Sequence, residues 1–200
     1  MIGPSGRLDR RAVVRALLEE RGNLLVVAGL GAPAWDVTAA GDVATNLPLW
    51  GGMGGAAAMG LGLALAQPSR SVLVVTGDGE MLMGLGALAT IGVQRPRNLA
   101  IVVLDNEHYG ETGGQETATR HGVDLAVVAR GCGIGDTRVV TQAVEVPRLR
   151  AAIHGQPGPI LAVVKVDPGK DPLVLPPREG AHLSARFREA VLGPAAHQQQ

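Results

Sequence analysis

The 200-residue sequence predicts an α/β fold, a doubly wound, mostly parallel sheet with helices on both faces. Three observations lead there. Apolar runs of strand length alternate with stretches of helical periodicity along most of the chain. The runs LLVVA, SVLVVT, NLAIVVL and PILAVVKV are continuous rather than alternating, as expected of strands covered on both sides. The length suits one domain of this kind, with enough residues to build a core without staples.

Residues 8–21 carry Leu8, Ala12, Val13, Leu17 and Leu18 at helical spacing, with charges between them and Gly22 as the stop. The charged positions read as a solvated face or part of a subunit contact. Residues 24–28 form a first buried strand, followed by a loop over 29–33 and a short helix over 33–40. The segment Leu47-Pro48-Leu49-Trp50 is a poor strand. Small residues over 56–66 predict a helix closed by Gln67-Pro68. A strand over 71–76, a helix over 81–91 and a strand over 98–104 follow. The loop 105–122 leads to a helix over 124–131, which Asp124 is placed to cap. A strand over 137–141, a helix over 146–154 and a strand over 159–166 complete the sheet. The Pro-rich segment 167–177 is expected to wrap the surface, ahead of a last helix over 184–192. The organisation expected is a single domain over 1–192, with its core at about 22–167, and a disordered tail over 193–200.

Composition narrows the function. Lys+Arg and Asp+Glu stand at 18 each, so no basic stripe marks a nucleic-acid partner. Aromatic residues are 2% of the chain, which leaves no platform for stacking bases. The single cysteine, Cys132, allows neither an internal disulfide nor a cysteine-held cluster, and a small buried residue is its simplest reading. The N-terminus shows no signal peptide, and the most apolar stretch, 56–66, is too short for a membrane span. These features predict a cytoplasmic protein without a membrane partner.

The chemistry concentrates where two strands end. The strand over 71–76 runs into Gly77-Asp78-Gly79, and the strand over 98–104 runs into Asp105-Asn106. One helix crosses between them, so the two are expected to be parallel neighbours, with ligands bound outside their carboxyl ends. Asp78 and Asn106 then converge a carboxylate and an amide oxygen, a hard half-shell suited to Mg²⁺ and phosphate oxygens. Gly77 and Gly79 permit a tight turn and close approach, and the following helix aims free N–H groups at the same point. A lone Gly-Asp-Gly is most simply a turn; the paired strand ends give it weight. The pattern Gly52-x-Gly54-x-x-Ala57 has the outline of a dinucleotide fingerprint, but it lacks a convincing strand before it and an acidic residue at the ribose position.

The run VVTGDGEMLMGLGALATIGVQRPRNLAIVVLDNEHYG resembles the thiamine diphosphate (ThDP) binding motif, with Asp78 and Asn106 separated by 28 positions. The likeness extends over about 50–166. It is strongest to the β subunits of sulfopyruvate decarboxylase and to phosphonopyruvate decarboxylases, in which GGMGGAAAMGLGLALAQPSR and YGETGGQETAT also have counterparts.

The resemblance implies a ThDP-binding fold that holds ThDP and Mg²⁺. Asp78 and Asn106 would bind the metal through side chains, and His108 through its backbone carbonyl. Gly79, Glu80 and the loop of Tyr109, Gly110, Glu111 and Thr112 would line the diphosphate, with Gly52 and Gly77 among the cofactor-binding residues. Met53, 25 positions before Asp78, matches the hydrophobic wedge between the two cofactor rings. No catalytic residue is assigned on this chain, because the activating glutamate of such enzymes lies on a pyrimidine-binding domain. That domain is expected on a partner (α) subunit, making a hetero-oligomer. The implied function is a β-type subunit that decarboxylates a small 2-oxo acid; the alternatives are a carboligating, acetolactate synthase-like subunit and a non-catalytic ThDP-binding subunit. Of the remaining polar residues, His121 reads most simply as a loop histidine, and Arg120, Arg95 and Arg97 are the cations nearest the implied site.

Overall fold

The structure is a computed structural model and describes residues 1–169 and 171–197. In chain order its elements are α1 (Arg10–Leu18), β1 (Leu25–Ala28), α2 (Ala32–Ala39), β2 (Asn46–Pro48), α3 (Ala56–Ala66), β3 (Val72–Gly77), α4 (Asp78–Met83), α5 (Gly86–Gln94) and β4 (Leu99–Asp105). A two-residue hairpin, β5 (His108–Tyr109) with β6 (Gln115–Glu116), follows. Then come α6 (Leu125–Gly131), β7 (Asp136–Val140), α7 (Val146–Gly155), β8 (Ile160–Lys165) and α8 (Gly180–Leu192).

Six strands form one sheet in the order β2-β1-β3-β4-β8-β7, every neighbouring pair parallel. Successive residues of each strand enter opposite cores, as pleating requires. Val26, Leu73, Val75, Ala100, Val102 and Ala162 meet α1, α2 and α7 on one face. Leu25, Val27, Val74, Ile101, Val103 and Leu161 meet α3, α5, α6 and α8 on the other. The doubly wound sheet expected from the continuous apolar runs is therefore present, and the strands are buried on both sides for the reason those runs suggested.

Local chemistry sets the ends of the helices. The Asp9 side chain accepts from Ala12 N and starts α1; Asp124 accepts from Ala126 N and Val127 N and starts α6. Three features differ from the sequence reading. Asn46–Pro48 is a strand after all: it lies at the sheet edge beside β1, where a proline that cannot donate is tolerated. The helix expected over 81–91 is two helices, α4 and α5, because Gly84 packs against the backbone of Gly54, an approach that leaves no room for a side chain and turns the axis. The charges near the N-terminus are not all solvated: Arg10 is buried, and with Arg11 it pairs with the fully buried Asp36.

The Pro-rich segment does cross the surface, held by Arg11 to the Pro172 carbonyl and by Trp50 Nε1 to the Pro177 carbonyl at 2.8 Å each. The first part of the expected tail, Gly193–His197, is a 3₁₀ turn; its last three residues lie outside the described ones. Among the described residues no helix is long and apolar enough to cross a membrane.

Candidate functional site

From β1 the chain moves out to β2 and then crosses back to β3 on the other side of β1. The connections diverge there, which opens a crevice at the carboxyl ends of these strands. A cavity of about 810 Å³ occupies it, floored by the ends of β3 and β4 and walled by the β5–β6 hairpin and by Pro168, Gly169, Asp171 and Leu173.

The structure brings most of the sequence-picked residues into this cavity. Met53, Gly77, Asp78, Gly79 and Glu80 line it from one side. Asn106, His108, Tyr109, Gly110, Glu111 and Thr112 line it from the other. Gly52 does not: it is exposed, with φ +70°, and its carbonyl accepts from Gly55 N in the turn that starts α3. His121 and Arg120 are also elsewhere, paired with Glu116 at the protein surface. Arg95 and Arg97 are exposed beyond the end of α5 and do not line the cavity, and Cys132 follows α6.

Asp78 opens α4 directly after β3 and is 1% exposed. Its Oδ2 accepts from the Thr117 hydroxyl at 2.5 Å and from the Thr119 hydroxyl at 3.2 Å. Burial raises its pKa, the Asp105 charge adds to the rise, and the two hydroxyls oppose it. Among the described residues no basic side chain pairs with it, whereas Asp105 has Lys165 at 2.6 Å. The two buried carboxylates are thus treated differently: one is neutralised from within the protein, and the other faces the cavity without a counter-charge.

Asn106 begins a tight turn. Its Oδ1 accepts from His108 N at 2.9 Å, and its carbonyl lies 2.8 Å from His108 Nδ1. Glu107, between them, takes φ +65°, and three cations hold its side chain: Arg7 at 2.9 Å, Arg120 at 3.2 Å and Lys165 at 3.2 Å. Against the cost of desolvation, hydrogen bonds from these groups draw the Glu107 pKa down to about 2. The turn that presents Asn106 and His108 is therefore fixed from behind by ion pairs.

Glu80 is buried, at 3% exposure. Its Oε2 accepts from Thr76 Oγ1 at 2.9 Å, while Oε1 is buried without a hydrogen bond among the described residues. Burial raises its pKa. The Tyr109 ring lies over Gly79, where an added Cβ would fall 2.5 Å from Cε1. Met53 lines the cavity next to Gly54, which packs on Gly84. Thr117, Thr119 and Lys165 carry no site signal of their own in the sequence, although both threonines lie in the stretch QETAT.

The donor set suits a hard divalent cation: a buried carboxylate without a basic partner among the described residues, beside an amide-bearing turn. No cluster of three or more His, Cys, Asp or Glu side chains is gathered for a metal among the described residues, so a cation here would complete its shell with ligand oxygens and water.

Comparison with known proteins agrees with this geometry. Residues 34–164 match the family model described as thiamine pyrophosphate enzyme, C-terminal TPP binding domain. Phosphonopyruvate decarboxylase of Streptomyces viridochromogenes is 38% identical over 186 residues, 92% of this chain and 46% of that protein. The chain thus spans about half the length of that relative. Sulfopyruvate decarboxylase subunit beta of Methanothermobacter thermautotrophicus is 34% identical over 187 residues, 94% of this chain and 96% of the subunit. A solved structure from Mycobacterium smegmatis, assigned to the thiamin diphosphate-dependent enzymes, superposes with a TM-score of 0.68 at 23% identity. It covers 81% of this chain and 32% of its own, and it supports the fold.

Proposed function

The chain belongs to the thiamine pyrophosphate enzymes, through their C-terminal TPP-binding domain, and on that premise we propose that it is the β-type subunit of a Mg²⁺-dependent decarboxylase of small 2-oxo acids. The observation that carries the reading is Asp78, a buried carboxylate facing the cavity with hydroxyl donors and no basic partner among the described residues. Asp78 and the Asn106 side chain would hold the metal, with the His108 carbonyl. Gly77, Gly79 and the start of α4 would receive the diphosphate with backbone N–H groups. Tyr109, Gly110, Glu111 and Thr112 would close over it, and Met53 would support the rings. When bound, ThDP supplies the electron sink that decarboxylation of a 2-oxo acid requires. The protein's part is to orient that group, exclude water and neutralise the diphosphate.

The partner is proposed to carry the pyrimidine-binding domain and its glutamate. Two observations support a partner. The relative matched along 96% of its length is named a β subunit. The helices α3 and α5 contain no charged residue, and Met59 and Leu65 on α3 and Val93 on α5 expose 47%, 51% and 77% of their surface. An uncharged apolar face of this kind marks an interaction site.

The test is reconstitution. The purified chain, with ThDP and Mg²⁺, is assayed on sulfopyruvate and phosphonopyruvate with and without a co-purified pyrimidine-domain protein, following CO₂ and free aldehyde. Activity only in the mixture is expected. Full-rate decarboxylation by the chain alone overturns the split site, and a coupled hydroxyketone as product reassigns it to carboligation.

A further inference from the structure

Two threonines on the 117–119 turn connect the aspartates at the cavity floor. Thr117 Oγ1 lies 2.5 Å from Asp78 Oδ2 and 2.9 Å from Thr119 Oγ1. Thr119 Oγ1 lies 3.2 Å from the same Asp78 oxygen and 2.9 Å from Asp105 Oδ1. Both threonines are buried, at 0% and 6% exposure. Their turn is itself tied down: Thr117 N donates to the Glu107 carbonyl at 3.0 Å, beside the Asn106 turn. Asp105 is anchored in turn by Lys165 on Oδ2 and by Glu107 N on Oδ1, at 2.6 and 3.1 Å.

Both hydroxyl groups therefore converge on one oxygen of Asp78, Thr119 sharing its single proton between that oxygen and Asp105 Oδ1. A carboxylate so held has its plane fixed and Oδ2 engaged, which leaves Oδ1 as the oxygen for a cation. That matters for which cation is accepted. Mg²⁺ demands a near-ideal octahedron of short bonds and is served by a rigid ligand that gives a single oxygen. Ca²⁺ takes more ligands at longer range and often binds a carboxylate through both oxygens.

We propose that Thr117 and Thr119 are positioning residues that make Asp78 a one-oxygen ligand and so set the preference of the site for Mg²⁺ over Ca²⁺. This rests on the assignment of Asp78 as a metal ligand. On this proposal the threonines act through Asp78, and Thr119 is also tied to Asp105, which Lys165 holds.

The experiment measures ThDP-dependent thermal stabilisation of the chain during Mg²⁺ and Ca²⁺ titrations, which gives an apparent affinity for each cation. Thr119→Val and Thr117→Val are expected to lower the Mg²⁺ to Ca²⁺ affinity ratio by about 10-fold, the lower end of what second-layer partners of metal ligands contribute. Thr119→Ser keeps the hydroxyl and is expected to keep the ratio. A purely structural role would lower both affinities together and leave the ratio unchanged, which overturns the proposal; so does a serine variant that loses the preference. If a valine variant does not fold, Thr119→Ala, which removes the hydroxyl and leaves space, is read in the same way. Failure of the parent chain to respond to ThDP with either cation, both alone and mixed with its partner, overturns the functional reading itself and is distinguished from failure of the variants.

Discussion

The carboxylate of Glu80 fills the space beside Gly29 in which any other residue would place its Cβ. Gly29 ends β1 and Glu80 lies in α4 after β3, so the contact joins the two strand ends that frame the crevice. Gly29→Ala is expected to expel Glu80 from its hydrogen bond to Thr76 and to destabilise the fold by about 1–3 kcal/mol, the usual cost of overpacking. Chemical denaturation of the two proteins checks it, and an unchanged midpoint would show that the carboxylate moves aside freely.

Asp78→Asn keeps the shape of the side chain and removes its charge. The variant is expected to fold, because Thr117 and Thr119 can still donate to the amide oxygen. It should lose the stabilisation by Mg²⁺ and ThDP, which for the parent amounts to about 2.7 kcal/mol at a ligand concentration 100 times Kd. Differential scanning calorimetry with and without the two ligands reads this directly.

Gly79→Ala places a methyl group against the Tyr109 ring, 2.5 Å from Cε1 and 2.6 Å from Cδ1. The ring and its hairpin must swing away from the start of α4. Tyr109 is the only tyrosine in the chain, so a ring-labelled sample reports that movement as the shift of a single NMR signal. ThDP affinity should fall with it, and an unmoved signal with parental affinity would exclude the coupling.

Glu107 governs an acid-sensitive part of the stability. Folding lowers its pKa from an ordinary 4.5 to about 2, so the unfolded chain takes up this proton first. The stabilisation is therefore complete above about pH 4.5 and is lost as pH falls toward 2. Glu107→Gln should be less stable than the parent at neutral pH and show a shallower decline across that window. Parallel acid limbs in pH-dependent unfolding would refute the assignment.

The sequence made the sheet legible because its strands are continuous apolar runs, and it brought Asp78 and Asn106 together because each follows a strand in adjacent positions. It concealed β2, whose three residues include a proline and gain their partner only at the edge of the sheet. It concealed the break between α4 and α5, since MLMGLGALAT is apolar and helix-compatible throughout and only the distant Gly54 reveals why Gly84 bends it. Thr117 and Thr119 stand 39 and 41 positions from the aspartate they hold, with no periodicity to link them. The hydrogen bond of Glu80 to Thr76 depends on the empty volume at Gly29, which no local pattern announces.

Asp105 and Lys165 are direct neighbours across β4 and β8, at the last paired position of both strands. A parallel ladder of valines, leucines and alanines is chemically repetitive, and sliding it by two residues would return every side chain to its own face. The slide would set the Lys165 ammonium beside Val103 instead, in an apolar layer with no carboxylate to receive it. The ion pair therefore serves as an index mark for assembly: it favours the alignment of β4 on β8 in which Asp105 faces Lys165.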